Sequence, residues 1–119
     1  MKVFFQSGEV WIQDCKRADD FKSRLFGFMG RHEIRPDEGL LFPKCSSVHM
    51  WFMNTSLDVI MLRAISGSAN HYTIVAVHSR LKAWRLLPVL HFKATDCLEV
   101  APGQILKAGL RKGDRLCIA

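Results

Sequence analysis

The sequence predicts a mainly β (α+β) fold. We expect one compact domain, either a small β-barrel or a strongly bent antiparallel sheet, with two short peripheral helices. Three observations carry this expectation. The chain has 119 residues, which suits one domain and suffices to bury a core without staples. Its apolar residues fall mostly in short β-branched and aromatic runs punctuated by Gly, Pro, Asn and Ser, the pattern of short strands joined by turns. Only two windows carry helical spacing, and both are short.

The elements follow in order. "KVFF" (2–5) and "EVWIQ" (9–13) read as strands about a Ser7-Gly8 turn. "ADDFKSRLF" (18–26) reads as a helix. Asp19 or Asp20 caps its start, Phe21 and Leu25 share one face, and Gly27 supplies the left-handed residue after it. "RPDEG" (35–39) is a turn and "LLF" (40–42) a short strand stopped by Pro43. Residues 48–53 and 57–63 read as an antiparallel hairpin about Asn54-Thr55-Ser56, with His49, Trp51 and Met53 on one face and Met50 and Phe52 on the other. Residues 64–71 form a polar loop and 72–79 a strand. The segment 81–92 is ambiguous because Pro88 forbids one continuous element. "ATDCLEV" (94–100) is a strand, "QILKAGL" (104–110) a helix ended by Gly109, and "KGDRLCIA" a turn and a last strand. The expected core holds Phe4, Trp11, Leu25, Leu41, Phe52, Ile60, Leu62, Ile74, Val75, Leu98 and Leu116.

Asp58 is the acid that attracts interest. It stands at the mouth of an apolar run, Val59 to Leu62, where a carboxylate must be ion-paired, hydrogen-bonded or protonated. It reads either as an anchor accepting backbone N–H groups or an arginine fork, or as a ligand-facing acid. Arg24 and Arg31 are its expected partners. "LKAWR" (81–85) places Trp84 between Lys82 and Arg85. Such an indole stacks on a base, a sugar ring or a partner side chain, or lies half buried under snorkelling cations.

Motifs for other chemistries are missing. His32-Glu33 lacks the second histidine of a zinc helix, and Cys45/His49 and His71/His78 have no matching pair. No metal and no cofactor is expected. There is no nucleophile elbow and no glycine-rich phosphate loop.

The net charge is +6 and the isoelectric point about 9.5, which favours anionic partners: nucleic acid, acidic proteins or a membrane surface. The cations are scattered in small groups, and no nucleic-acid reading motif accompanies them, so nucleic-acid binding is expected to be weak and non-specific. Four cysteines, at 15, 45, 97 and 117, form no CxxC pair and read as free thiols. The opening "MKVFFQSGEVW" is too short for a secretory h-region and no run spans a bilayer, so a cytoplasmic location and no transmembrane segment are expected.

Five segments occur in a telling order: "SRLFGFMGR" (23–31), "EGLLF" (38–42), "HMWFMNTSLDVIML" (49–62), "LKAWR" (81–85) and "CLEVAPGQILKAGLRKGDRL" (97–116). Together they resemble the bacterial and archaeal domain-of-unknown-function family 192 across residues 17–118. The departures are Phe28, Ser56, Ala83, "EVAPG" and a longer loop at 64–71. The resemblance implies a compact strand-rich domain and no established activity. The positions matching the family's polar motif residues are Arg24, Arg31, Asn54, Asp58, Trp84, Arg85, Glu99 and Asp114. Of these, Asp114 reads as a turn former and Glu99 as a strand residue pairing an arginine.

The leading expectation is an accessory binding domain, monomeric or weakly dimeric. It would engage a small anionic or stacking ligand, or a protein partner, through Arg24, Arg31, Asn54, Asp58, Trp84 and Arg85. The alternatives are an enzyme acting on a small molecule or saccharide, with Asp58 as general acid/base helped by His49 or an arginine, and non-specific nucleic-acid binding.

Overall fold

The computed structural model describes residues 1–20, 27–51 and 53–119. It is mainly β. The strands are β1 (Val3–Phe5), β2 (Val10–Ile12), β3 (Asp14–Arg17), β4 (Glu38–Pro43), β5 (Ser47–Val48), β6 (Leu57–Ala64), β7 (His71–Leu81), β8 (Val89–Leu90), β9 (Asp96–Val100) and β10 (Arg115–Ile118). Among the described residues one helix is present, α1 (Gln104–Ala108), closed by Gly109 in the left-handed region. It is the helix expected at 104–110. Residues 18–20 of the other expected helix are not helical, and 21–26, with Phe21, Arg24 and Leu25, lie outside the described residues, as does Phe52.

Eight strands form one sheet in the order β2-β1-β10-β7-β6-β9-β4-β3, and β5 pairs β8 in a small second sheet. All pairings are antiparallel except β3 with β4, which is parallel. The two end strands of the large sheet follow one another in the chain, parted only by Gln13. A flat sheet of eight strands would hold its ends roughly 34 Å apart, whereas two residues of chain span at most about 7 Å. The sheet must therefore curl. Two contacts mark where its ends meet. Met1 and Cys15 exchange backbone hydrogen bonds of 2.9 and 3.1 Å, and a Cβ on Gly39 of β4 would stand 3.2 Å from Ile12 Cγ2 of β2. Among the described residues no strand ladder joins β2 to β3, and what they form is a strongly bent sheet.

The strand β6 explains the apolar run after Asp58. Val59 and Met61 join a cluster with Leu40, Phe42, Met50 and Met53, while Ile60 and Leu62 join one with Leu41, Ile74, Leu98 and Leu116. A strand covered on both faces must be apolar at successive positions, not at alternate ones.

Three local expectations are corrected. The hairpin of 48–53 with 57–63 does not form. β5 ends at Val48 and pairs β8, while β6 pairs β7 and β9. Met50 and Met53 both turn inward across a bend in which the Met53 N–H donates to the Met50 carbonyl at 3.4 Å, and Trp51 is 45% exposed. In the N-terminal strands Val3 and Ile12 are fully buried, where Phe4 and Trp11 were expected; Phe4 and Trp11 are only partly buried. A slip of one residue exchanges the faces of a strand. The strand β3 carries one inward residue, Cys15, among Asp14, Lys16 and Arg17, and gives no strand signal of its own. No helix among the described residues is long and apolar enough to cross a membrane.

Candidate functional site

Asp58 is fully buried. Its Oδ1 accepts the Arg80 N–H at 2.8 Å and its Oδ2 the Ile105 N–H at 2.8 Å. The second bond does the work of a helix cap. The residue before α1 is Gly103, which has no side chain to offer, so an acid from β6 satisfies an orphan donor of the first turn. Arg80 itself has φ of 52°, a left-handed conformation costly for a side-chain-bearing residue, and the Asp58 bond helps hold it. Of the two expected arginines, Arg31 does not supply these contacts. Arg31 instead grips Glu38 through two bonds of 2.6 and 2.9 Å, and its hydrogen bond holds the Glu38 carboxyl below the usual range. Arg24 lies outside the described residues.

A cavity of about 380 Å³ opens between β4, β9 and the chain from Lys44 to Met53. Phe28, Met29, Phe42, Val48 and Met53 form apolar parts of its wall, and Lys44, Cys45 and His49 also line it. From β9 comes Glu99, only 6% exposed and flanked in the sheet by Leu40 and Val59. Of the motif arginines, Arg31 is engaged with Glu38 and Arg24 lies outside the described residues. Burial, then the neighbouring Cys45, pushes the Glu99 carboxyl up to about 8. Sequence reasoning missed this group because Glu99 reads as an ordinary strand residue. The available signal was an acid between Leu98 and Val100, in a strand apolar on both sides.

A second feature lies beside the cavity. The segments 46–51 and 84–92 are tied together by the pairing of β5 with β8 and by three further bonds. The Trp84 N–H donates to the Met50 carbonyl at 2.9 Å, the His91 N–H to the Ser46 carbonyl at 3.0 Å, and the Trp51 indole N–H to the Leu86 carbonyl at 2.9 Å. This small unit carries most of the exposed large apolar side chains: Trp51, Trp84, Leu86, Leu87, Leu90 and Phe92. Lys93 stands over the Phe92 ring at 5.7 Å, and the His49 and Trp51 rings lie 5.1 Å apart.

The residues singled out from sequence thus fall in different places. Trp84 and Arg85 stand on the exposed unit, where the Arg85 Nε donates to the Leu87 carbonyl at 3.1 Å. His49 lines the cavity. Arg31 reaches over the Phe28 ring at 5.6 Å. Asn54 is exposed in the bend before β6. Asp58 is not in the cavity wall. Asp114 shapes a turn, accepting the Arg111 N–H at 2.9 Å. No group of three or more His, Cys, Asp or Glu among the described residues could hold a metal ion.

Comparison with known proteins adds the family. Residues 3–118 match the domain-of-unknown-function family 192, described as an uncharacterised ACR. The chain belongs to this family. Two solved structures share its fold. One, from Sinorhizobium meliloti 1021, is provisionally described as a transcription regulator; it is 26% identical, with a TM-score of 0.74 over 97% of this chain and 88% of that one. The other, of unknown function, from Novosphingobium aromaticivorans DSM 12444, is 20% identical, with a TM-score of 0.77 over 97% of this chain and 81% of that one. No curated protein matches the chain. This family member thus has relatives that share its fold and name no ligand.

Proposed function

We propose that this family member is a binding module that docks on an anionic lipid interface through the unit formed by 46–51 and 84–92. One observation carries the reading: large apolar side chains crowd on this unit, exposed to water. Leu86 is 79% and Phe92 86% exposed, values that mean each side chain protrudes with little shelter from its neighbours. Exposed apolar clusters of this kind mark interaction sites. Protruding Trp, Leu and Phe suit a fluid interface, which accepts each of them without a preformed pocket. The charge agrees. Between Leu81 and Thr95 stand Lys82, Arg85 and Lys93 and no acid, and each cation near an anionic surface adds about 1 kcal/mol of attraction. Asp58 keeps both its oxygens on backbone N–H groups, which supports a binding reading over one in which it transfers protons.

The test is co-sedimentation with phosphatidylcholine vesicles, with and without phosphatidylglycerol. The wild type is expected to bind the anionic vesicles, less at high salt, and the Leu86→Asp/Leu87→Asp double variant at least tenfold more weakly. Failure of the wild type to bind anionic vesicles overturns the reading and returns a protein partner to first place.

A further inference from the structure

We propose that the cavity between β4, β9 and the 44–53 chain is a binding site for a small planar heterocycle presenting adjacent hydrogen-bond donor and acceptor atoms, with Glu99 reading that edge. This site is separate from the docking unit's exposed face and does not depend on it.

The volume, about 380 Å³, lies at the small end of the range for ligand sites. Its walls suit a flat ring. Phe28 and Phe42 offer aromatic surface, and Met29 and Met53 offer thioethers that adapt to a ring edge. Space is kept open over the carboxyl. Gly27 has φ of 47°, and a Cβ there would stand 3.1 Å from Phe42 Cζ and 3.7 Å from Glu99 Oε2. A side chain at 27 would therefore intrude between ring and acid.

Glu99 is the polar group of interest. It is almost wholly buried and it lines the cavity. A ligand that fills this cavity must hydrogen-bond the carboxyl, because a polar group left buried without a partner is costly. With the carboxyl pushed up to about 8, the neutral acid dominates at neutral pH. A neutral acid offers one O–H donor and one C=O acceptor side by side. Its complement is an edge with an acceptor beside a donor, as in a lactam or an aminopyridine.

A cationic amine is the rival ligand, and the surroundings disfavour it. The chain carries a net charge of +6, and Lys44 and His49 line the same cavity. Among the described residues the thiols of Cys45 and Cys97 also interact electrostatically with Glu99, and its sheet neighbours Leu40 and Val59 carry no charge.

The experiment is ligand-observed NMR on the full chain with 2-pyridone, benzylamine and benzene at up to ~10 mM, a level that a ring of this size reaches at ordinary binding efficiency. It compares wild type, Glu99→Gln and Glu99→Leu, each checked for folding by its melt. Gln keeps a donor beside an acceptor, and Leu keeps only bulk. 2-Pyridone is expected to bind wild type at pH 7, to hold within about threefold in Glu99→Gln, and to weaken at least tenfold in Glu99→Leu. Wild-type affinity should fall as the pH rises through about 8, and that of Glu99→Gln should not. No binding of 2-pyridone to wild type overturns the proposal. So does preference for benzylamine with loss in Glu99→Gln, which marks a cation site, and so does equal binding of benzene, which marks a plain apolar hole.

Discussion

Asp58 and Glu99 are both buried acids, yet their surroundings differ. Asp58 accepts two backbone N–H groups at 2.8 Å, so both of its oxygens are satisfied by the fold. Asp58→Asn turns one of those contacts into an amide facing an N–H donor. The expected loss is about 1–3 kcal/mol of stability, read from a urea melt. A variant as stable as wild type would remove the anchor role. Glu99 is desolvated by burial, and its carboxyl is raised from 4.5 to about 8. Below pH 4.5 folded and unfolded chains both hold the proton, and the group contributes nothing. Between 4.5 and about 8 the unfolded chain releases it while the folded chain keeps it, so stability falls as pH rises and levels off above. Glu38, whose carboxyl the Arg31 hydrogen bond lowers, acts with the opposite sign and only at lower pH. Melts from pH 5 to 9 should show the decline in wild type and a flatter profile in Glu99→Gln; parallel profiles would contradict it. The sequence made the anchor contact of Asp58 foreseeable, because an acid opening an apolar strand needs donors. It could not name those donors, since Arg80 and Ile105 are distant in the chain. The direction of Glu99 was hidden for the same reason: it depends on which strands flank β9.

At the scale of elements, legibility tracked periodicity. β6, β7, β9 and β10 were visible as β-branched runs, and the Gly109 stop of α1 as a left-handed glycine. The 48–53 segment misled, because it is apolar at nearly every position and so has no period by which strand and irregular chain can be told apart. Its outcome separates two neighbours sharply. Met50 is 1% exposed and Trp51 45%. Met50→Ala should therefore cost about 2–5 kcal/mol, whereas Trp51→Ala loses the bond to the Leu86 carbonyl and only part of the indole's burial, at about 1–2 kcal/mol. Urea denaturation of the two variants checks this; a Trp51→Ala cost above that of Met50→Ala would restore the hairpin packed into the core. The parallel strand β3 was illegible on other grounds. Its residues are mostly polar, and it is strand because β4 offers it an edge.

The radius of gyration, 12.9 Å, is close to the ~13.5 Å expected of a single folded unit of this length. Over so small a body the distribution of charge matters more than its sum. The net charge of +6 suggests a broad positive field, but several cations are held by acids: Arg17 by Asp19 at 2.7 Å, Arg31 by Glu38, and Arg35 by Asp14 at 2.9 Å. Such exposed pairs add little stability, yet they cancel local potential. The acid-poor stretch with Lys82, Arg85 and Lys93 is then a compact source of attraction for phosphates. Three phosphate contacts release about three counterions, so the logarithm of any duplex-DNA affinity should fall with the logarithm of salt at a slope of about −2.7. Between 50 and 200 mM salt that is a loss of roughly fortyfold. Direct reading of bases needs a helix or ribbon that enters a groove. The helix α1 has five residues, and an exposed unit of Trp, Leu and Phe offers few donors to base edges. Anisotropy on two duplexes of different sequence should therefore give the same affinity at each salt concentration and near-complete loss at the higher one. Binding that discriminates the duplexes, or survives the higher salt, would show that the phosphate-only picture of this surface is wrong.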